Sequence, residues 1–187
     1  MDWKKLVIAT GILGCSLIFL WFAIAAKLVV LIGPDERGVV QAYGAPAGYP
    51  KVLMPGPHLL SPAESAVIYK LSPETYTTLS KTQGAEAILS RSSEGDNVLV
   101  HVSATYAINS EQVLDLYTSW QDRYKEELVR PLTRQTVRKT LSQYTASEIE
   151  VNRAGIERSI FAALKQKFAG NYLILLDFKI INIQSYD

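Results

Sequence analysis

Asn97-Val98-Leu99-Val100-His101-Val102-Ser103-Ala104-Thr105-Tyr106-Ala107 has a period of two. Val98, Val100, Val102, Ala104 and Tyr106 share one face, and Leu99, His101, Ser103 and Thr105 share the other. Successive strand side chains point to opposite faces, so the spacing predicts a strand with one buried side. Ser93-Glu94-Gly95-Asp96 ahead of it reads as a turn, with Gly95 free to take positive φ. Past Ala107 the period lengthens to three or four. Asn109, with Gln112 three residues on, predicts the cap of a short helix whose apolar side is Val113, Leu114 and Tyr117. Asp122 predicts the cap of a longer helical stretch to about Gln143, which either kinks at Pro131 or restarts there with proline in its first turn. Thr145-Ala146-Ser147-Glu148 has capping-box spacing, and Ile149, Ile156, Ile160, Ala163 and Leu164 form one stripe behind it. Gly170-Asn171 ends that helix, and Tyr172 to Ile183 predicts a last strand. Leu173-Ile174-Leu175-Leu176 is apolar on both faces, so this strand is expected in the interior.

Upstream, from Arg37, the texture is strand and turn. Gly38–Tyr43, Ala66–Leu71 and Glu86–Leu89 predict strands, and Gly38–Tyr43 is expected to join Asn97–Ala107 in one β-rich lobe. Ala45–Pro50 and Met54–Pro57 read as loops too rich in proline for regular structure. Strands, then helices, then one returning strand make an α+β pattern.

The N-terminal region is different in kind. From Leu6 to Ala26, 21 consecutive residues carry no charge. As a helix they reach roughly 30 Å, the hydrocarbon thickness of a bilayer. Leu6, Ile12, Leu17, Phe19, Trp21, Phe22 and Ala26 mark this expected anchor, with Lys4 and Lys5 before it and Lys27 after it. Leu28–Ile32 either extends the helix or begins the next element, and Gly33-Pro34 stops it. A cleaved signal peptide is the competing reading, with Ala23-Ile24-Ala25 as its cleavage motif. The apolar run is too long for that, however, and Trp21 and Phe22 crowd the site. The expected organisation is an N-terminal tail at 1–5, a single transmembrane anchor at 6–32, a strand-rich lobe at 33–107 and a helix-plus-strand lobe at 108–187.

Composition narrows the function classes. The 187 residues are 48% hydrophobic and 20% charged, with 19 Lys+Arg against 18 Asp+Glu. A net charge of +1 argues against nucleic-acid binding, which needs a cationic surplus to neutralise phosphates. One cysteine excludes an intrachain disulfide and CxxC-type zinc sites. There is no G-x-S-x-G elbow and no glycine-rich phosphate loop. The only histidines, His58 and His101, lie in different segments and read as structural. No catalytic, cofactor or metal-binding residue is assigned, and no enzymatic activity is expected.

Four segments together resemble the SPFH superfamily (stomatin, prohibitin, flotillin and the bacterial HflK/HflC pair), also called band 7. They are Ile32-Gly33-Pro34-Asp35-Glu36-Arg37-Gly38-Val39-Val40-Gln41-Ala42-Tyr43-Gly44; Pro55-Gly56-Pro57-His58-Leu59-Leu60-Ser61-Pro62, similar to the family's PG-x-H-x-x-x-P loop; Ser93–Val98 leading into the alternating strand; and Tyr144–Ile149 with Arg153 and Ile156, followed by Leu176–Ile180. The match is nearest in style to the HflC/prohibitin type. What the resemblance implies is a scaffold that is membrane-anchored, oligomerises with SPFH-type chains, and organises lipids or partner membrane proteins, an AAA+ membrane protease among them. It also implies an N-terminus inside and an SPFH domain across the membrane, periplasmic or equivalent. Family members usually continue into a long Ala/Glu-rich helix, whereas this chain stops at Asp187, which weakens the expectation of a closed cage.

Two surfaces are expected to make contacts. The uncharged loop containing Leu53, Met54, Leu59 and Leu60 lies on the bilayer surface or else fills the core. Arg123, Glu126, Glu127, Arg130, Arg134 and Arg138 offer a mixed-charge face for lateral contacts, or else a merely solvated one. The rival functions are an accessory structural subunit of a larger membrane complex and, from another class, a membrane-bound hydrolase.

Overall fold

The computed structural model describes Trp21 and residues 28–44, 47–79 and 87–186, with side chains as far as Gln184. Of the expected anchor, Leu6, Ile12, Leu17, Phe19, Phe22 and Ala26 lie outside the described residues, while Trp21 is helical and exposed. Among the described residues no helix is long and apolar enough to cross a membrane. The chain divides into two units, Met1–Tyr69 and Lys70–Asp187.

In the first unit, β1 (Val29–Ile32) pairs antiparallel with β4 (Gly56–Leu59), matching Val29 with Leu59 and Leu31 with Pro57. Gly33-Pro34-Asp35-Glu36 then turns the chain. The Glu36 N–H donates to the Gly33 carbonyl at 3.2 Å, and the Gly33 N–H donates to the Glu36 carboxylate at 2.9 Å. Next, β2 (Glu36–Ala42) becomes the centre of a three-stranded sheet, with β3 (Lys51–Leu53) on one side and β5 (Glu64–Lys70) on the other. Ile32, Val39, Val40, Leu60 and Tyr69 are its buried core. A side chain at Gly38 would meet Ile32 Cδ1 at 2.9 Å, so the close approach of β2 to β1 depends on glycine there.

Two expectations for this region are corrected. The anchor expected at 6–32 does not reach residue 32, because Val29–Ile32 is strand, so Leu28–Ile32 begins the next element, the second of the two readings given it. Met54–Pro57 is not wholly irregular either, because Gly56 and Pro57 open β4. β4 has a single neighbour, and an edge strand tolerates a residue without an N–H.

The second unit is built on β8 (Asn97–Ile108), whose inward face is the predicted one: Val98, Val100, Val102, Ala104 and Tyr106 are all buried. β9 (Leu173–Tyr186) pairs with β8 along its whole length, and β6 (Glu74–Thr77) and β7 (Ile88–Arg91) therefore share its other edge. Between β6 and β7, Thr78 fills the ladder: its Oγ1 accepts from the Val102 N–H at 2.9 Å and its N–H donates to the Val102 carbonyl at 3.0 Å. The helices are α1 (Val113–Trp120), α2 (Arg130–Leu141), α3 (Ala146–Val151) and α4 (Arg153–Ala169), with α2 on β7 and α4 on β9. Ile149, Ile156, Ile160, Leu164 and Phe168 are wholly buried, and Phe168 stacks edge-on against Tyr106 at 5.9 Å. The capping box is present: Thr145 Oγ1 accepts from the Glu148 N–H at 3.2 Å, and the Glu148 carboxylate accepts from the Thr145 N–H at 2.9 Å.

This unit also corrects the sequence reading. The strand-rich lobe expected to end at residue 107 is divided, because Gly38–Ala42 and Asn97–Ile108 lie in different sheets and different units. Asn109 is not the cap of α1: its amide holds Gln112 at 2.7 Å and braces the turn before the helix. Asp122 caps nothing, because it sits in a 3₁₀ turn (Gln121–Arg123) entered through a positive φ of 52° at Gln121. A π turn (Lys125–Val129) then runs into α2 with Pro131 at its start. The wide turn accommodates a ring that would crowd the carbonyl four residues back in a regular helix. Finally, β9 is an edge strand, with Ile174 and Leu176 exposed at 43% and 48%. The ladder matches Leu175 with Tyr106 and Asp177 with Thr105, so Leu176 is the extra residue of a bulge.

Candidate membrane-facing and lateral surfaces

Antiparallel neighbours directly across a ladder point to the same face. The β1–β4 register therefore puts Val29, Leu31, Pro57 and Leu59 on one face, and all four are exposed. Leu31 and Leu59 are 71% and 68% exposed, and Met54 in the adjoining loop is 61% exposed. The opposite face carries Val30, Ile32 and His58. His58 Nε2–H donates to the Met54 carbonyl at 2.7 Å and so fixes the loop rather than facing a substrate. Of the four loop residues read from sequence, Leu59 and Met54 are on the surface. Leu53 is half-buried, and Leu60 belongs to the core, where its N–H donates to the Leu28 carbonyl at 2.7 Å. Sequence reasoning missed Val29, Leu31 and Pro57. The first two fell within the expected anchor and the third within an expected loop, although the alternation of exposure in β1 follows ordinary strand spacing.

A polar clasp closes the first unit. The Tyr49 hydroxyl donates to Glu64, Lys51 Nζ lies 3.0 Å from the same carboxylate, and the Ser61 N–H donates to its other oxygen at 2.7 Å. The Tyr49 hydroxyl, then the Ser61 N–H and Lys51, hold the Glu64 carboxyl far below its ordinary 4.5, at about 2. Lys51 is raised in turn, first by Tyr49 and then by Glu64.

The mixed-charge residues separate into two groups. Arg123 pairs with Glu127 at 2.8 Å and Arg130 with Glu126 at 3.3 Å, each one helical turn apart. Exposed pairs of this kind add little stability. Arg134 and Arg138 instead cross to the outer edge of β7, donating to the Ala87 carbonyl at 3.4 Å and the Leu89 carbonyl at 2.9 Å. They cap carbonyls that an edge strand would leave open. Near β6 lies a cleft of about 280 Å³ whose charges cancel. In it Glu74 accepts from Lys125 at 2.8 Å, from the Tyr106 hydroxyl at 3.3 Å and from the Tyr124 hydroxyl at 3.5 Å. Burial, with the charge of Glu74 nearby, pushes the Tyr106 phenol up. His101 Nδ1 lies 3.3 Å from both oxygens of Thr78, at the seam of the sheet.

Among the described residues no three His, Cys, Asp or Glu side chains are grouped to hold a metal ion. The molecule presents surfaces, an apolar ribbon and charged helix faces, on an α+β body. Residues 30–185 match the SPFH domain / Band 7 family, and the chain belongs to it. Members of that family are in general membrane-associated, non-enzymatic scaffolds. No curated protein matches the chain.

Proposed function

We propose that this chain is a membrane-anchored scaffold. Leu6–Ala26 crosses the bilayer once with the N-terminus inside, so the SPFH domain stands across the membrane, in the periplasm or its equivalent. There it self-assembles with SPFH-type chains and organises lipids or a partner membrane protein, an AAA+ membrane protease being one such partner. The reading is carried by the exposed apolar face of Val29, Leu31, Pro57 and Leu59, which begins three residues beyond the uncharged stretch ending at Ala26. A surface so close to a bilayer anchor rests against the interface. Taking leucines 71% and 68% exposed out of water contributes about 1–2 kcal/mol each.

The test is made on the full chain in vesicles, with a single environment-sensitive fluorophore at position 54 and Cys15 replaced by serine. Quenchers placed at graded lipid depth reach the fluorophore strongly in the parent protein. In Leu31→Glu/Leu59→Glu the quenching falls at least threefold, while alkaline extraction still leaves the chain in the membrane. Equal quenching in both proteins discards the surface contact, and release of the parent chain by alkali discards the anchor.

A further inference from the structure

Beside the edge of β7 that Arg134 and Arg138 cover lies an open groove of about 930 Å³. Arg91, Arg134, Arg138 and Lys139 line it, and among the described residues no acidic side chain does. Four cations in one groove are a marked local excess in a chain whose net charge is +1. Arg91, Arg138 and Lys139 are exposed. In the groove wall Ser90 is 4% exposed, its side chain on the same buried face of β7 as Ile88, so the groove presents its cations and not this hydroxyl. Guanidinium groups fit carboxylates in a forked geometry.

The complementary charge lies at the other end of the same unit. Glu111, Asp115 and Asp122 are exposed on the segment that follows the C-terminal end of β8, in and around α1. β7 pairs with residues Asn97–Val100 at the N-terminal end of that strand. At strand rise the two charged ends are roughly 30 Å apart. One copy cannot join them. A two-fold pairing through either end would set like charges against each other, whereas a head-to-tail contact sets opposite charges together, and such contacts propagate or close into rings.

We propose that the groove between β7 and α2 receives the acidic end around α1 of a second copy of this chain, making a heterologous contact of definite polarity. The inference rests on the scaffold reading above and supplies the surfaces through which that scaffold would grow. Long-range attraction between the two ends also makes assembly sensitive to ionic strength.

The experiment uses the full chain in detergent, with assembly followed by light scattering and native mass. Arg91→Glu/Lys139→Glu and Asp115→Lys/Asp122→Lys alter exposed side chains only. Each weakens assembly at least tenfold, as added salt does for the parent. An equimolar mixture of the two variants recovers assembly, because each supplies the end the other has lost, and misfolded chains could not do so. If both variants assemble like the parent, the groove contact is overturned while the scaffold reading stands. A parent chain that stays monomeric at every concentration overturns the scaffold reading itself. If Arg91→Glu/Lys139→Glu assembles normally but loses binding to phosphatidylserine vesicles, the groove takes anionic headgroups and the second-copy assignment is overturned.

Discussion

The β1–β4 ribbon and the β8–β9 pair are both antiparallel ladders rich in valine, isoleucine and leucine, yet they turn those residues in opposite directions. In β8 every second residue from Val98 to Ile108 is buried beneath helices. In the ribbon Leu31 and Leu59 stay more than two-thirds exposed, and only Ile32 and the adjoining Leu60 reach the core. The difference lies in what covers each ladder. The second unit has α2 and α4 to lay on its sheet, whereas the ribbon is two strands wide and, among the described residues, pairs with no third strand. A two-stranded ribbon is marginal in water and gains from a further apolar surface. Hydrophobic side chains therefore line a buried face in β8 and an exposed one in the ribbon.

Truncation is the sharpest way to break that contrast. Ile160 is wholly buried, and Ile160→Ala should cost about 2–5 kcal/mol through lost transfer energy and the cavity left behind. At 68% exposed, Leu59→Ala should cost less than about 0.5 kcal/mol. Urea denaturation of the two variants beside the parent measures both. Equal losses at the two positions would mean that the ribbon face is packed and not free.

A smaller effect tests the helical layer. Thr145→Ala removes the hydroxyl that accepts from the Glu148 N–H, and it should lower stability by about 1 kcal/mol. Thr145→Ser retains that oxygen and should recover most of the loss in the same urea measurement. Recovery by serine separates the cap from general tolerance at this position.

Local chemistry made some of these features legible and tertiary context hid others. The alternation of Asn97–Ala107 and the capping box at Thr145 depend on neighbours within a few residues, and both stand as read. β1 was hidden because Val29-Val30-Leu31-Ile32 continues an apolar run and has no polar alternation to mark a strand. β4 was hidden by Pro57 within it and Pro55 just before it, and Pro57 is tolerated because β4 pairs with a single strand among the described residues. The edge position of β9 and the division between units depend on pairing across the chain, Asn97 with Tyr186, which no local window contains. Arg123, Glu126, Glu127, Arg130, Arg134 and Arg138 were found as a group. Their separation into helical ion pairs and cations of the β7 edge required the partner strand.

Proton concentration divides the two units by opposite signs. In the first, Glu64 is held at about 2 against an ordinary 4.5, so the folded state favours its carboxylate. That contribution is complete above pH 4.5 and is lost as pH falls through about 2, when the proton displaces the bonds from Tyr49, Ser61 and Lys51. In the second, Tyr106 is raised above the ordinary 10.0, so the folded state favours the neutral phenol. Its contribution is complete below pH 10.0 and is lost as alkali ionises it. Acid should thus loosen the Tyr49–Glu64 clasp while leaving the Tyr106 cluster intact, and alkali should do the reverse. Carboxyl carbon chemical shifts of Glu64 should titrate with a midpoint near 2 in the parent. In Tyr49→Phe, which removes the first of its donors, the midpoint should move up toward 4.5. Lys51→Met should move it less, because the lysine ranks behind both the tyrosine hydroxyl and the Ser61 N–H. An unshifted midpoint in Tyr49→Phe would assign the depression to the Ser61 N–H and Lys51, leaving the clasp without its tyrosine.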